Sequence, residues 1–287
     1  MSRRYRKKLI MDADFRADLH DALGPGDPFE QVMSLHGEIV RALDGRRTFR
    51  FELSSRHYFA KLHTGMPMRR ILRKLIQLRL PVLGAEPEWR AIHRLQNLGV
   101  PTTPPVAFGL SCGRNPARER SFVITRDLGH TITLEQECNG WLERPPHPAF
   151  KRRLILEIAR IARTLHEDGM NHRDFYLCHF RMALNDDEQA VRDGLKTPRL
   201  HLMDLHRVQR RARLPKRARI KDIGGLYFSA LDIGLTRRDT FRFIQAYRQA
   251  PLRQTMQNDA AFWKGVAKRA SWQYKREHGR APEALYG

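Results

Sequence analysis

Met170-Asn171-His172-Arg173-Asp174-Phe175-Tyr176-Leu177-Cys178-His179-Phe180 sits where the texture of the chain changes, and its reading decides the architecture. Residues 151–168 come before it, with Leu154, Ile158, Ile161 and Leu165 recurring at the three- and four-residue spacings of one buried helix face. Gly169 is the residue type that ends such a helix, so Asp174 belongs to a loop directly after a cap. The Pro-rich stretch 144–148 reads as the approach to that helix. Downstream, residues 200–203 form a short apolar strand that delivers Asp204, and from Lys221 onward the pattern is helical.

Upstream the period changes from helical to alternating. Phe49, Phe51 and Leu53 share one side of a strand at 48–53, Ser54-Ser55-Arg56 reads as a turn, and residues 58–62 return as a second strand. A basic amphipathic helix is expected over 68–80, stopped by Pro81, and another over 87–98, closed by Gly99. Glu88 falls on the apolar stripe of the latter, where a carboxylate is costly without a partner. Two more strands are expected at 104–108 and 121–125, followed by a linker at 126–129. The expectation is an α+β, bilobal fold, with a strand-rich lobe over 1–126 and a mainly helical lobe over 127–287.

Composition bounds the class of partner. The 287 residues carry a formal net charge of +22, which suits an anionic partner: nucleic acid, lipid, phosphorylated glycan or acidic protein. Three widely spaced cysteines make neither a disulfide framework nor a metal pair and suit a reducing compartment. The basic start runs straight into Asp12 and Asp14, so neither a secretory leader nor a membrane span is expected, and the cytoplasm is the expected location.

Phosphoryl transfer from ATP needs few protein groups: a lysine on the phosphates, an acid on the lysine, a carboxylate at the acceptor hydroxyl and another on magnesium. The chain offers one candidate for each, in the order that protein kinases use. Lys61 ends a strand, Glu88 faces inward on a following helix, Asp174 closes His-Arg-Asp, and Asp204 ends a strand. Taken singly, these also read as a surface lysine, a first-turn glutamate, a chance tripeptide and a strand-end acid. Only their succession argues for a site. Five residues after Asp174, where protein kinases place a metal-binding asparagine, stands His179, a poorer magnesium ligand than oxygen. Gly45-Arg46-Arg47-Thr48 is the nearest thing to a glycine-rich phosphate loop.

The segments DPFEQV (27–32), GRRTFRFEL (45–53), LPVLGAEPEW (80–89), NHRDFYLCHF (171–180), MDLHR (203–207) and KDIGGLYFSALDIGLTRRD (221–239) resemble the lipopolysaccharide core heptose(I) kinase family of Gram-negative bacteria. The resemblance implies a cytoplasmic enzyme with an atypical protein-kinase-like fold that moves the γ-phosphate of ATP, with Mg2+, to the first heptose of the inner core. Carried onto this chain, Asp174 is catalytic, Asp204 and His179 are the metal residues, and Lys61 and Glu88 serve ATP. Arg126, Asp127 and Leu128 take the place of the hinge beside adenine. The chain departs from the family pattern at Arg126 and Phe175, so a kinase for another core sugar, Kdo or the second heptose, stays open.

Arg207, Arg210, Arg211, Arg213, Lys216, Arg217, Arg219 and Lys221 crowd the segment after Asp204, which in kinases faces the acceptor. They are candidate contacts for the anionic inner-core glycolipid, or simply a solvated charge run. The helix expected at 68–80 could lie on anionic lipid of the inner membrane, or pack on its own lobe. Trp263, Trp272 and Tyr274 among basic residues invite a nucleic-acid reading. The chain carries no nucleic-acid-binding signature, however, and nucleic acid is not the expected partner.

Overall fold

The structure is a computed structural model, and it describes residues 6–43, 45–65, 84–112, 115, 118–184 and 187–283. The helix expected at 68–80 lies outside the described residues. Two compact units result, one from residues 1–94 and 103–128, the other from 95–102 and 129–287.

The first unit is built on strands β1 (Arg6–Met11), β2 (Glu38–Leu43), β3 (Arg46–Leu53), β4 (Arg56–His63), β5 (Pro105–Cys112) and β6 (Arg120–Arg126). They form one six-stranded sheet in the order β1-β5-β6-β4-β3-β2, each neighbouring pair antiparallel. Helices α1 (Ala13–Leu23), α2 (Pro28–Ser34) and α3 (Glu86–Asn97) belong to the same unit in large part. The alternation expected at 48–53 is met: Phe49, Phe51 and Leu53 are buried while Glu52 is exposed. Ser54 and Ser55, at φ 48° and 59°, make the left-handed two-residue turn that matches the twist of a hairpin. Phe15 and Tyr58 meet edge-on with ring centroids 5.1 Å apart, and Phe51 stacks on Tyr58, so the core is largely aromatic. Neither β1 nor β2 was expected. Every residue of β2 is exposed, and β1 opens on consecutive basic residues, so neither carries the alternation of a half-buried strand.

The second unit is mainly helical. Its elements are strand β7 (Thr131–Thr133), α4 (Leu134–Cys138), α5 (Pro148–Glu167), β8 (Met170–Asn171), β9 (Phe180–Ala183), α6 (Glu188–Arg192), β10 (Leu200–Leu202), β11 (Gln209–Arg210), α7 (Lys216–Ser229), α8 (Arg237–Arg248), α9 (Leu252–Asn258) and α10 (Ala260–His278). Helix α5 starts earlier than expected because Pro148 occupies its first turn, where a missing N–H costs nothing. Its buried face contains Leu154, Ile158, Ile161 and Leu165 as expected. Small antiparallel sheets, β10-β9-β7 and β11-β8, clasp the loop after α5. Gly169 is essential to that clasp. At φ 79°, a Cβ there would come within 1.9 Å of the Arg211 carbonyl, while its own carbonyl accepts from Arg211 N at 2.9 Å.

Candidate active site

In the first unit, Lys61 lies on the central strand β4, and Nζ donates to Glu88 Oε1 at 2.5 Å. Glu88 stands in the first turn of α3, and Ser121 Oγ accepts from Ala85 N at 3.0 Å just ahead of that turn. Trp89 stacks on Phe108 with centroids 5.4 Å apart, which fixes the rotation of the helix. The side chains of Lys61 and Glu88 are 21% and 7% exposed, so the contact is largely desolvated and its geometry is firmly held. Glu88 Oε2 is buried with no hydrogen-bond partner among the described residues. Arg126 ends β6, and Asp127 N donates to His57 O at 2.9 Å. The Asp127 carboxylate accepts from Arg50 Nε at 2.8 Å, so it is held against the sheet, and Leu128 follows in the loop.

In the second unit the candidates come from loops, and a buried carboxylate organises them. Asp222 on α7, 1% exposed, accepts from His172 N at 2.6 Å and from Arg173 N at 2.9 Å. Those two bonds hold Arg173 at φ 76°, a left-handed conformation a non-glycine residue adopts only when its surroundings enforce it. Asp174 is thereby presented at a fixed orientation. Both its carboxylate oxygens accept from Arg207 Nη1, at 2.6 and 2.7 Å. His172 is fully buried and donates from Nε2 to the Met203 carbonyl at 2.8 Å, tying this loop to the one that carries Asp204. Burial holds its imidazole below the usual histidine range.

Asp204 is itself left-handed, at φ 56° and ψ 54°, and its Oδ1 contacts His206 Nδ1 at 2.5 Å. His179 Nδ1 lies 2.6 Å from the Asp174 carbonyl, which can only accept, so that nitrogen carries a proton. Nε2 then faces Asp204 Oδ2 at 3.8 Å. In a neutral His179 these are two acceptors turned toward each other, an arrangement that suits a cation. Among the described residues no three His, Cys, Asp or Glu side chains converge as a metal cluster. Magnesium asks for little more than a carboxylate, since waters and phosphates complete its shell, so the donor set fits it.

The structure therefore brings Asp174, His179 and Asp204 together within one unit, and Lys61 and Glu88 within the other. The basic run is divided among different partners. Arg210 Nε donates to Asp168 at 2.7 Å, Arg211 to Gln209 Oε1 at 2.8 Å, and Arg219 turns inward to the His166 carbonyl at 3.5 Å. Arg213, Lys216 and Arg217 are exposed. One organising residue, Asp222, was not singled out from sequence, although it sits within a quoted motif. Arg207 was expected only as the first member of the basic run, and no period or spacing marks it as the partner of Asp174.

A strand lysine paired to a helix acid, then a carboxylate loop after a long helix, then a strand-end aspartate: together with the α+β fold this defines a protein-kinase-like phosphotransferase. The family model described as the lipopolysaccharide kinase (Kdo/WaaP) family matches residues 30–247, and the chain belongs to that family. It is 45% identical over 251 residues to the lipopolysaccharide core heptose(I) kinase WaaP of Pseudomonas aeruginosa PAO1, covering 88% of this chain and 91% of the relative. It is 47% identical over 233 residues to the enzyme of that name from Escherichia coli, covering 81% and 86%. A solved structure described as WaaP in complex with acyl carrier protein matches with a TM-score of 0.75 and 39% identity, over 93% of this chain and 99% of that one.

Proposed function

We propose that this protein transfers the γ-phosphate of ATP to heptose I of the lipopolysaccharide inner core. The Lys61–Glu88 pair carries this reading. A lysine held by a buried glutamate on the central strand has no evident structural purpose, but it suits a group that must meet polyphosphate at a fixed place. In this reading Lys61 holds the phosphates, Glu88 orients Lys61, and Arg126, Asp127 and Leu128 back the adenine. Asp174 accepts the acceptor's hydroxyl proton. Asp204, with His179, would hold magnesium, whose chemistry is to neutralise charge on the phosphates. The choice of heptose I over another core sugar rests on the names and identities of the relatives.

The work is expected at the cytoplasmic face of the membrane that carries the glycolipid; no helix among the described residues is long and apolar enough to cross it. The net charge of +22 also suits an acidic protein, and the WaaP complex makes acyl carrier protein the natural candidate. An apolar cavity in the second unit, lined in part by Leu154, Ile158, Ile223, Leu226, Phe243 and Val266, would accommodate the acyl group of such a carrier.

The test is transfer of labelled phosphate from ATP to heptose-containing inner-core lipopolysaccharide. Asp174→Ala should lower turnover about a hundredfold or more, the scale of losing a general base, with ATP binding retained. No transfer by folded wild type that binds ATP would move the search to other core sugars.

A further inference from the structure

We propose that Arg173, Arg207 and Lys221 form an anion receptor around Asp174, which holds a carboxylate or phosphate of the acceptor beside the hydroxyl to be phosphorylated. This rests on the reading of Asp174 as the residue that meets the acceptor.

The local charge is unbalanced. Arg207 Nη1 spans both oxygens of Asp174 and is 37% exposed. Arg173 precedes Asp174 directly, and its backbone is locked by the Arg173 N to Asp222 bond. Lys221 precedes Asp222 on α7, so the carboxylate that anchors the loop also fixes the root of Lys221 beside it. The Arg173 and Lys221 side chains are half-buried, and neither makes a hydrogen bond or ion pair among the described residues. Burial first, then Arg207, holds Arg173 below its ordinary range. Burial, Arg173 and Arg207 do the same to Lys221, with Asp174 and Asp222 opposing. Of those two carboxylates, Asp222 is already engaged by two backbone amides and by His166 at 3.4 Å. Three cations thus share one carboxylate, Asp174, that no backbone amide among the described residues engages, and a half-buried surplus of positive charge is relieved by an incoming anion.

The position points to the acceptor rather than to ATP. The cations gather at the carboxylate that would take the hydroxyl proton, whereas Asp204, the proposed metal residue, has Oδ1 held by His206. Arg207 also competes with an incoming hydroxyl for Asp174, since Nη1 takes one acceptor site on each of its oxygens. An acceptor anion offers Arg207 an alternative partner and so opens Asp174. An uncharged alcohol, or water, offers none, which couples reactivity to the correct acceptor.

The experiment compares wild type, Lys221→Met and Lys221→Arg on three glycolipids: intact inner-core lipopolysaccharide, the same with carboxyls reduced to alcohols, and the same dephosphorylated. Thermal unfolding first confirms that the variants are folded. Lys221→Met should raise the KM for intact acceptor about tenfold or more, the scale of one lost charge-assisted contact, and shift the KM for ATP much less. Lys221→Arg should restore most of the loss. Wild type should show the raised KM on one modified acceptor, where Lys221→Met adds little, and that acceptor identifies the anion as carboxylate or phosphate. A raised KM for ATP instead would overturn the receptor, as would equal effects of Lys221→Met on all three acceptors. Direct binding of the glycolipids without ATP separates this from the kinase reading. Wild type that binds intact glycolipid but transfers nothing breaks the kinase reading alone, and the binding difference between wild type and Lys221→Met still decides the receptor. No binding by wild type overturns both.

Discussion

Lys61 and Asp174, the two charges on which the proposed function rests, are held in opposite ways. Lys61 comes from a strand and its partner Glu88 from a helix; the charges match one to one in a largely desolvated contact. Asp174 comes from a loop whose backbone hangs on the buried Asp222, and cations outnumber the carboxylates around it. The first arrangement suits a fixed post for a ligand that always carries the same charge. The second is responsive, because Asp174 and Arg207 are both partly open to solvent and can exchange partners. Substitutions in the first region should therefore show as weakened nucleotide affinity, and those in the second as lost turnover or a loosened loop.

Asp204→Asn should produce the largest effect, lowering phosphate transfer about a hundredfold or more as charge stabilisation by the metal is lost. The side chain is 26% exposed, so thermal unfolding should move little. A variant that keeps full magnesium-dependent transfer would remove Asp204 from the site. Asp222→Asn should come next, costing about 3 kcal/mol of stability, because two amide bonds to a buried charge are weakened together. Urea unfolding measures the cost, and an unchanged midpoint would mean that the loop is held by something else.

The contrast between the two regions also explains what could be read from the sequence. The hairpin was legible because Phe49, Phe51 and Leu53 alternate across a half-buried sheet. Glu88 was legible because a carboxylate on an apolar stripe must have a partner, and in the structure it has one. Strand β2 was not legible, since an edge strand exposed at every residue carries no period. Asp222 was hidden for the opposite reason: Asp222, Ile223, Gly224, Gly225 and Leu226 are all buried, so no polar face contrasts with an apolar one. The start of α7 at Lys216 was obscured by its basic first turn, which resembles the charge run before it. Arg207 looked like one more member of that run, and only its contact with Asp174 sets it apart.

Lys61 and Glu88 can be tested as a unit. Lys61→Met and Glu88→Gln should each raise the KM for ATP, and the double variant should fall short of their sum by about 2 kcal/mol. Simple additivity would mean that Glu88 is buried for the fold and does not orient the lysine.

The smallest effect expected concerns His172, which belongs to the loop-held region. Its Nδ1 is buried with no hydrogen-bond partner among the described residues, so a second proton there would have no acceptor. Burial accordingly lowers its pKa below the ordinary 6.5. The unfolded chain takes up that proton near 6.5, and the folded chain only at lower pH. Between the two values the unfolded state binds more protons, so the contribution of His172 to stability is complete above 6.5 and is lost as pH falls through that window toward the folded value. His172→Gln keeps a donor for the Met203 carbonyl but cannot titrate. Between about pH 7.5 and about pH 5.5, wild type should lose about 1 kcal/mol more stability than this variant. Equal losses, measured by urea unfolding at both pH values, would mean that the clasp between the Asp174 and Asp204 loops tolerates a charged imidazole. The loop-held region would then be as indifferent to pH as a surface turn.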